Sequence, residues 1–151
     1  MADVLLSVNS GEVAMGNPKT NLQIVAAANH RTKIQGWGIA IKGTSATDAP
    51  VFVELLRQTT AGTMTAGVAG TNISKKNSGD DEVIQTTTQV NATVEPTAGD
   101  ILERFEVHPQ TGYRTFYPLG QELIIPGGAR LGFRVTTALT YSATFSADIE
   151  E

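Results

Sequence analysis

The ten residues before the final glutamate, Tyr141 to Glu150, alternate strictly between apolar and polar side chains. Successive side chains of a β-strand point to opposite faces of its sheet, so this alternation predicts a strand with one face in a core and one in water. A helix would scatter the same apolar side chains around its circumference. The chain must therefore build at least one half-buried sheet. The apolar positions are Tyr141, Ala143, Phe145, Ala147 and Ile149.

The same period of two recurs upstream in the chain. Leu22, Ile24 and Ala26 take alternate positions, and residues 51–58, with the sequence VFVELLRQ, are rich in residues that favour strand interiors. Residues 113–119, with the sequence YRTFYPL, form a further apolar and aromatic run. These segments predict additional short strands.

The stretch from Asp100 to His108 carries signals for both helix and strand. Asp100 is a candidate helix N-cap because a glutamate follows three positions later. In opposition, the second half of the stretch alternates, and Pro109 favours an extended conformation at the residue before it. We therefore predict a strand here. The loop 109–112, with the sequence PQTG, would join this strand to the 113–119 run as a hairpin.

The fold class that follows is all-β, an antiparallel β-sandwich of eight to ten short strands with almost no helix. A jelly roll is preferred to a barrel. The length of 151 residues suits one domain. We assign residues 21–151 to a single β-sandwich domain and residues 1–20 to an N-terminal strand or arm. The glycine- and threonine-rich segment 59–82 either contains a short strand near residues 62–68 or is an exposed functional loop.

Residues 125–128, with the sequence IPGG, predict a type II turn. Pro126 fixes φ at the second position of this turn, and Gly127 accepts positive φ at the third. Proline also lacks an N–H group, so it ends the preceding strand. The sequence leaves open whether the turn closes a hairpin or carries the chain from one sheet to the other.

Charge and composition limit the classes of partner. The net charge of −4 and the pI of about 5.1 give no electrostatic reason to approach nucleic acid or an anionic membrane. The absence of cysteine excludes disulfides and cysteine-ligated metals. No segment approaches ~18 consecutive apolar residues, so no membrane span is predicted.

The inventory of residues for catalysis is short, and we expect neither enzymatic activity nor a cofactor. His30 and His108 are the only histidines, and their positions match no metal-binding spacing. Serine elbows and glycine-rich phosphate loops are also missing. Glu103 with Glu106, or Glu54 with a distant partner, are candidate carboxylate pairs, against the alternative that they lie on a wet sheet face. The acidic segment 77–82, NSGDDE, is either a calcium loop or, as we prefer, a solvated loop tip.

Two segments are candidates for binding a partner. In residues 33–43 Trp37 lies on a heavily apolar strand face, whereas Gly36 and Gly38 leave the other face nearly bare. Glycine weakens a strand unless something must come close, so either two sheets pack tightly here or a subunit or ligand lies against the face. In the N-terminal twenty residues the apolar run forms either the first strand or an arm that pairs with a neighbouring sheet edge. The candidate partner-binding residues are Val4, Leu5, Leu6 and Trp37.

The C-terminal third of the chain resembles a known family. Residues 106–151 contain the turn HPQTG, the run PLGQELIIPGGARLGFRV and a terminal strand that ends in paired acids. These elements resemble sequences of capsid decoration, or cement, proteins of tailed bacteriophages that have a jelly-roll fold. The resemblance implies a structural virion protein that is made in the host cytoplasm. It would bind the major capsid protein on the outer capsid surface as a homotrimer and stabilise the shell.

An alternative function is a carbohydrate- or receptor-binding β-sandwich module of a phage tail or fibre. Such modules present exposed aromatic rings to sugars or hold calcium. The candidate aromatic residues are Trp37, Tyr113, Phe116 and Tyr117.

Overall fold

The computed structural model describes residues 3–43 and 49–151, and within them every regular element is a β-strand. Thirteen strands form two antiparallel sheets, which confirms the all-β sandwich. The number exceeds the predicted eight to ten because several strands have only two to four residues. The strands are β1 Leu5–Asn9, β2 Val13–Ala14, β3 Lys19–Val25, β4 Thr32–Gly43, β5 Val51–Gln58, β6 Thr63–Ala66, β7 Ile73–Lys75, β8 Thr87–Val94, β9 Ala98–Val107, β10 Tyr113–Phe116, β11 Leu123–Ile125, β12 Arg130–Thr136 and β13 Tyr141–Glu150.

The two sheets are built from strands distant in sequence. The first sheet has the order β10, β4, β13, β1, β7, with β11 also paired to β4 and β2 to β13. The second sheet has the order β6, β8, β3, β12, β5, β9. Chain neighbours such as β12 and β13 therefore lie in different sheets, and most contacts that hold the fold join distant parts of the chain.

The core lies between the sheets and follows the predicted alternation. The five apolar residues of β13 are all buried, as are Leu22, Ile24 and Ala26 at β3. Phe133 of β12 and Phe145 of β13 meet across the interior, with ring centroids 5.4 Å apart. Complete burial of each such side chain stabilises the fold by roughly 1.5–3 kcal/mol.

The predicted hairpin between the two strands around PQTG is wrong. The upstream strand, β9, pairs with β5 in the second sheet, and the downstream strand, β10, pairs with β4 in the first. The loop between them therefore crosses the side of the sandwich. Its turn is closed by bonds from the N–H groups of Thr111 and Gly112 to His108 O. The sequence signal for a tight turn was correct, but a turn alone does not determine which strands pair.

The turn after β11 also carries the chain between sheets, since β11 pairs with β4 and β12 with β3 and β5. It lies one residue later than predicted. The N–H of Ala129 donates to Pro126 O at 2.9 Å, and Gly128, not Gly127, has the positive φ of 75°. A Cβ atom on Gly127 would lie 2.6 Å from the carbonyl oxygen of Ala28, so close backbone contact explains the glycine there.

The N-terminal segment is a strand in this structure. β1 lies inside the first sheet, between β13 and β7. The segment 59–82 contains the predicted short strand, β6, and a second one, β7. β6 belongs to the second sheet and β7 to the first, so this segment also crosses from one sheet to the other.

Candidate interaction surface

The two histidines have no catalytic environment in the described structure. His30 is exposed in the turn after β3. The Nδ1 atom of His108 accepts a hydrogen bond from the backbone N–H of Gln110 at 3.2 Å, so this ring stabilises the PQTG turn. Both side chains have the solvated or turn-stabilising surroundings that lone histidines commonly have.

The candidate carboxylates do not form a catalytic pair. Glu103 and Glu106 lie opposite Leu55 and Phe52 on β5, three positions apart, so they point to opposite faces of the second sheet. Glu54 is buried on the outer face of that sheet, where its two oxygens accept hydrogen bonds from Arg104 Nε at 3.2 Å and Arg134 Nη2 at 2.9 Å. This carboxylate is neutralised by its neighbours.

The acidic segment 77–82 forms a turn held by its own groups. Asn77 Oδ1 accepts the N–H of Gly79 at 3.1 Å, and Lys75 Nζ donates to the backbone oxygen of Asp80 at 2.7 Å. Among the residues that the structure describes, no group of three or more histidine and carboxylate side chains is arranged to hold a metal ion.

Trp37 lies in the core, where its ring is surrounded by four others. The centroid distances are 6.0 Å to Phe105, 5.6 Å to Tyr113, 5.8 Å to Phe133 and 6.3 Å to Phe145. Its indole N–H points to the side of the sandwich and donates to Glu103 Oε2 at 3.1 Å and Tyr117 Oη at 3.0 Å. Burial, and then the Glu103 carboxylate, raise the pKa of Tyr117 well above its ordinary value of 10.0.

The bare glycine face of β4 is approached closely by side chains of β10, the neighbouring strand of the same sheet, and not by the second sheet. A Cβ atom on Gly36 would lie 2.5 Å from Phe116 Cδ1, and one on Gly38 would lie 3.2 Å from Arg114 Cγ. The edge strand β10 therefore lays its outward side chains over these glycines. The Arg114 guanidinium lies 4.9 Å from the centre of the Phe116 ring, which adds a cation–π contact.

The N-terminal candidates divide between core and surface. Val4 and Leu6 are buried between the sheets, whereas Leu5 is 42% exposed. Trp37 has no exposed surface at all. Of the four candidate partner-binding residues, only Leu5 therefore presents a side chain to a partner in the structure described.

Four exposed large apolar side chains lie at one side of the sandwich, where the edge strands β9 and β10 face each other. Leu119 is 97% exposed and Phe116 61%, while Ile124 and Ile101 are about two-fifths exposed. We call these four residues the edge patch. Soluble proteins rarely concentrate exposed large apolar groups in this way unless the surface has a partner.

Pairing with a common strand brings the edge patch together. Phe116 lies opposite Gly36 and Ile124 opposite Lys33, so the two are about 10 Å apart along β4. Leu119 lies in the loop that joins their strands. The backbone oxygen of Ile124 accepts a bond from Arg57 Nη1 at 2.7 Å, which ties this region to the β5–β9 pair that carries Ile101.

A rigid turn presents Leu119. The N–H of Gln121 donates to Pro118 O at 2.9 Å, and Gly120 has a φ of 87°. The Glu122 carboxylate accepts a hydrogen bond from the N–H of Gly120 at 2.8 Å, which stabilises the turn. The sequence does not predict this surface, because a leucine between proline and glycine is a signal only for a turn. A fully exposed leucine is recognisable once the direction of the turn is known.

The aromatic residues proposed for sugar binding are mostly covered. Trp37 is buried, and Tyr113 and Tyr117 are half-buried against it, so of these four rings only Phe116 is largely exposed. A platform of several exposed rings is therefore not formed by these side chains.

Comparisons of the chain with protein-family models, with curated proteins and with solved structures found no match. Within the described residues, no helix has the length and apolar character needed to cross a membrane.

Proposed function

We propose that the chain is a structural virion protein that binds the outer surface of a tailed-phage capsid as a homotrimer and stabilises the shell. Its partners are other copies of itself and the major capsid protein. The edge patch is the observation that carries this proposal, because it is an exposed apolar surface without a catalytic or metal-binding group beside it.

The location of the patch in the sequence supports the proposal. Phe116, Leu119 and Ile124 all lie in residues 106–151, the segment that resembles capsid decoration proteins. The loop that presents Leu119 belongs to the run PLGQELIIPGG that carries the resemblance. We expect a capsid-binding surface to lie in the segment that resembles capsid-binding proteins, residues 106–151.

The energetics of the patch suit a binding role. In typical protein interfaces a few side chains that fill pockets on the partner, often aromatic ones, contribute most of the affinity. The hydrogen-bonded turn fixes the backbone at Leu119, and the cation–π contact with Arg114 orders the ring of Phe116 before binding. Both lower the entropy cost of ordering these residues on a partner. Contacts of this kind, repeated over a shell and within a trimer, add through multivalency.

We also infer that the sandwich is a jelly roll, and the sheet order supports this. Eight strands form two four-stranded cores, β1, β13, β4, β10 and β3, β12, β5, β9. When these eight are counted along the chain, the first sheet contains the first, eighth, third and sixth strands, and the second contains the second, seventh, fourth and fifth. That interleaving is the pattern of a jelly roll, to which β6, β7 and β8 form an insertion between β5 and β9.

Binding to expanded, undecorated heads of the phage that encodes the chain tests the proposal. We expect the purified protein to have the mass of a trimer by light scattering and to co-sediment with the heads at saturable stoichiometry. Leu119→Glu should weaken binding at least about tenfold because it places a charge in the apolar contact. Val83→Glu is the matched control, since Val83 is 76% exposed outside the edge patch. A strict monomer that does not bind the heads would overturn the proposal.

A further inference from the structure

The second sheet ends in two free edges of opposite character. On one side β9 carries Asp100, Arg104 and Glu106, and its pairing with β5 is interrupted twice by irregularities. Charges and bulges on an edge strand prevent another strand from adding to it. The β9 edge is therefore protected against pairing with a further strand.

The opposite edge, β6, lacks these devices. Residues 59–74, which contain this strand, include no charged residue and no proline. Thr63, Thr65 and Ala66 are exposed, and no backbone hydrogen bond reaches the outer side of β6 from any other described residue. The bulge in this part of the sheet lies on the inner strand, at Asn91 of β8, which has a φ of 58°. The outer strand thus keeps a continuous extended backbone.

Apolar side chains flank this edge. Val94 lies opposite Thr63 and is 59% exposed, and Val68, just beyond the end of β6, is exposed to the same extent. Pairing at the edge would satisfy the free backbone groups of the strand and would cover part of Val68, which continues the line of β6. Hydrogen bonding and apolar burial therefore favour the same event.

We propose that β6 is a self-association edge, at which the β6 strands of two copies pair antiparallel across a two-fold axis. Such an axis, perpendicular to the sheet, places like residues opposite or diagonal to each other, so any charge in the strand would oppose its own copy. Because β6 is uncharged, two copies of this edge can pair without repulsion between like charges. This contact does not depend on the proposed function, because the edge patch lies at the other side of the sandwich.

The strand has four residues, so the association is weak and depends on concentration. At dilute concentration the copies separate, and at high local concentration they pair. The contact is therefore suited to link molecules that something else already holds close together.

Charge substitution at Thr65 tests the pairing. Thr65 is exposed and lies in the middle of β6. Its side chains in the two copies are close enough for long substituents to meet, whether they lie directly opposite or diagonal to each other. We expect Thr65→Lys and Thr65→Glu each to raise the dissociation constant at least about tenfold, since like charges then face each other. An equimolar mixture of the two variants should recover association, because Lys then faces Glu. Thr87→Lys, at an exposed site on β8 within the sheet, is the matched control and should associate like the wild type.

Sedimentation equilibrium over a wide concentration range reads out the result. A self-association edge alone gives a monomer–dimer equilibrium, and the proposed trimer alone gives a trimer of constant mass. Both together give trimers that associate further as the concentration rises. Failure of the mixed variants to recover association would overturn the pairing. A wild-type mass that does not rise with protein concentration would also overturn it. Loss of the dimer in Thr87→Lys as well would also overturn it, because the effect would not be specific to the edge.

Discussion

The indole N–H of Trp37, on β4 of the first sheet, donates a hydrogen bond to the Glu103 carboxylate, on β9 of the second, at 3.1 Å. The bond joins the two sheets at the side of the sandwich where both end. Around it the rings of Phe105 and Tyr113, one from each sheet, approach to 5.0 Å. Aromatic rings and the Trp37–Glu103 hydrogen bond therefore close the core at this side of the sandwich, which is also the side of the edge patch.

Truncation of Trp37 should be among the most destabilising single changes. Trp37→Ala removes a buried ring with four aromatic neighbours, and we expect a loss of about 3–5 kcal/mol in the free energy of unfolding. Urea denaturation followed by circular dichroism measures it. A loss below about 1 kcal/mol would show that the ring is not the core anchor described here.

Glu54 and its exposed partner Arg104 should differ in their effect on stability. Glu54→Ala leaves Arg134, whose side chain is 14% exposed, without its buried carboxylate, and we expect a loss of about 3 kcal/mol. Arg104 is 58% exposed, so Arg104→Ala should cost less than about 1 kcal/mol. Chemical denaturation of the two variants side by side checks this order, and equal losses would contradict it.

The first glycine of the bare face should not tolerate a side chain. Gly36→Ala places a Cβ atom 2.7 Å from the backbone oxygen of Thr115, so β10 must move, and we expect a loss of about 1–3 kcal/mol. Gly79→Ala is the control, because its Cβ would meet only Asn77 Oδ1 at 3.5 Å. The melting temperatures of the two variants should separate clearly. If Gly36→Ala melts with the control, β10 is not fixed on this glycine.

Glu150 should make stability depend on acid pH. The hydrogen bond from Lys33, opposed by burial, lowers the pKa of Glu150 below its ordinary value of 4.5. A carboxyl group whose pKa is lower in the folded state adds stability above the unfolded pKa, and this stability is lost as the pH falls through the folded pKa. Glu150→Gln should therefore melt below the wild type at pH 7, and the gap should close as the pH falls below 4.5 and through the lowered pKa of the folded state. A gap independent of pH would show that the ionised carboxylate is not what stabilises the strand.

The sequence predicts an element well where local pattern and burial coincide. β13 covers the residues whose alternation predicted it, and β5 coincides with the predicted run at residues 51–58. In β13 one face meets the core, so the period of two is visible in the sequence, whereas β5 is buried on both faces and was predicted from its residue composition. A strand as short as β2 contains too few residues to show a period, and it was not predicted, whereas β11 was predicted only because Pro126 marks its end.

Pairing was the part that local patterns could not supply. The PQTG turn and the IPGG turn look like hairpin connections, yet each carries the chain across the sandwich, because the partner of each strand is chosen by distant residues. The candidate surface was missed for the same reason. Phe116 and Ile124 become neighbours only through their common partner β4.

Val4 and Glu151, near the two ends of the described chain, run side by side, and their backbones exchange two hydrogen bonds, Val4 N to Glu151 O at 3.0 Å and Glu151 N to Val4 O at 3.1 Å. A short peptide could bridge them, so circular permutants that open at a distant loop should keep the same sheets. Cargo domains attached through Val4 and through Glu151 would therefore be displayed at the same corner of the sandwich. An array of these molecules would then display two different cargoes at the same place, in a fixed one-to-one ratio.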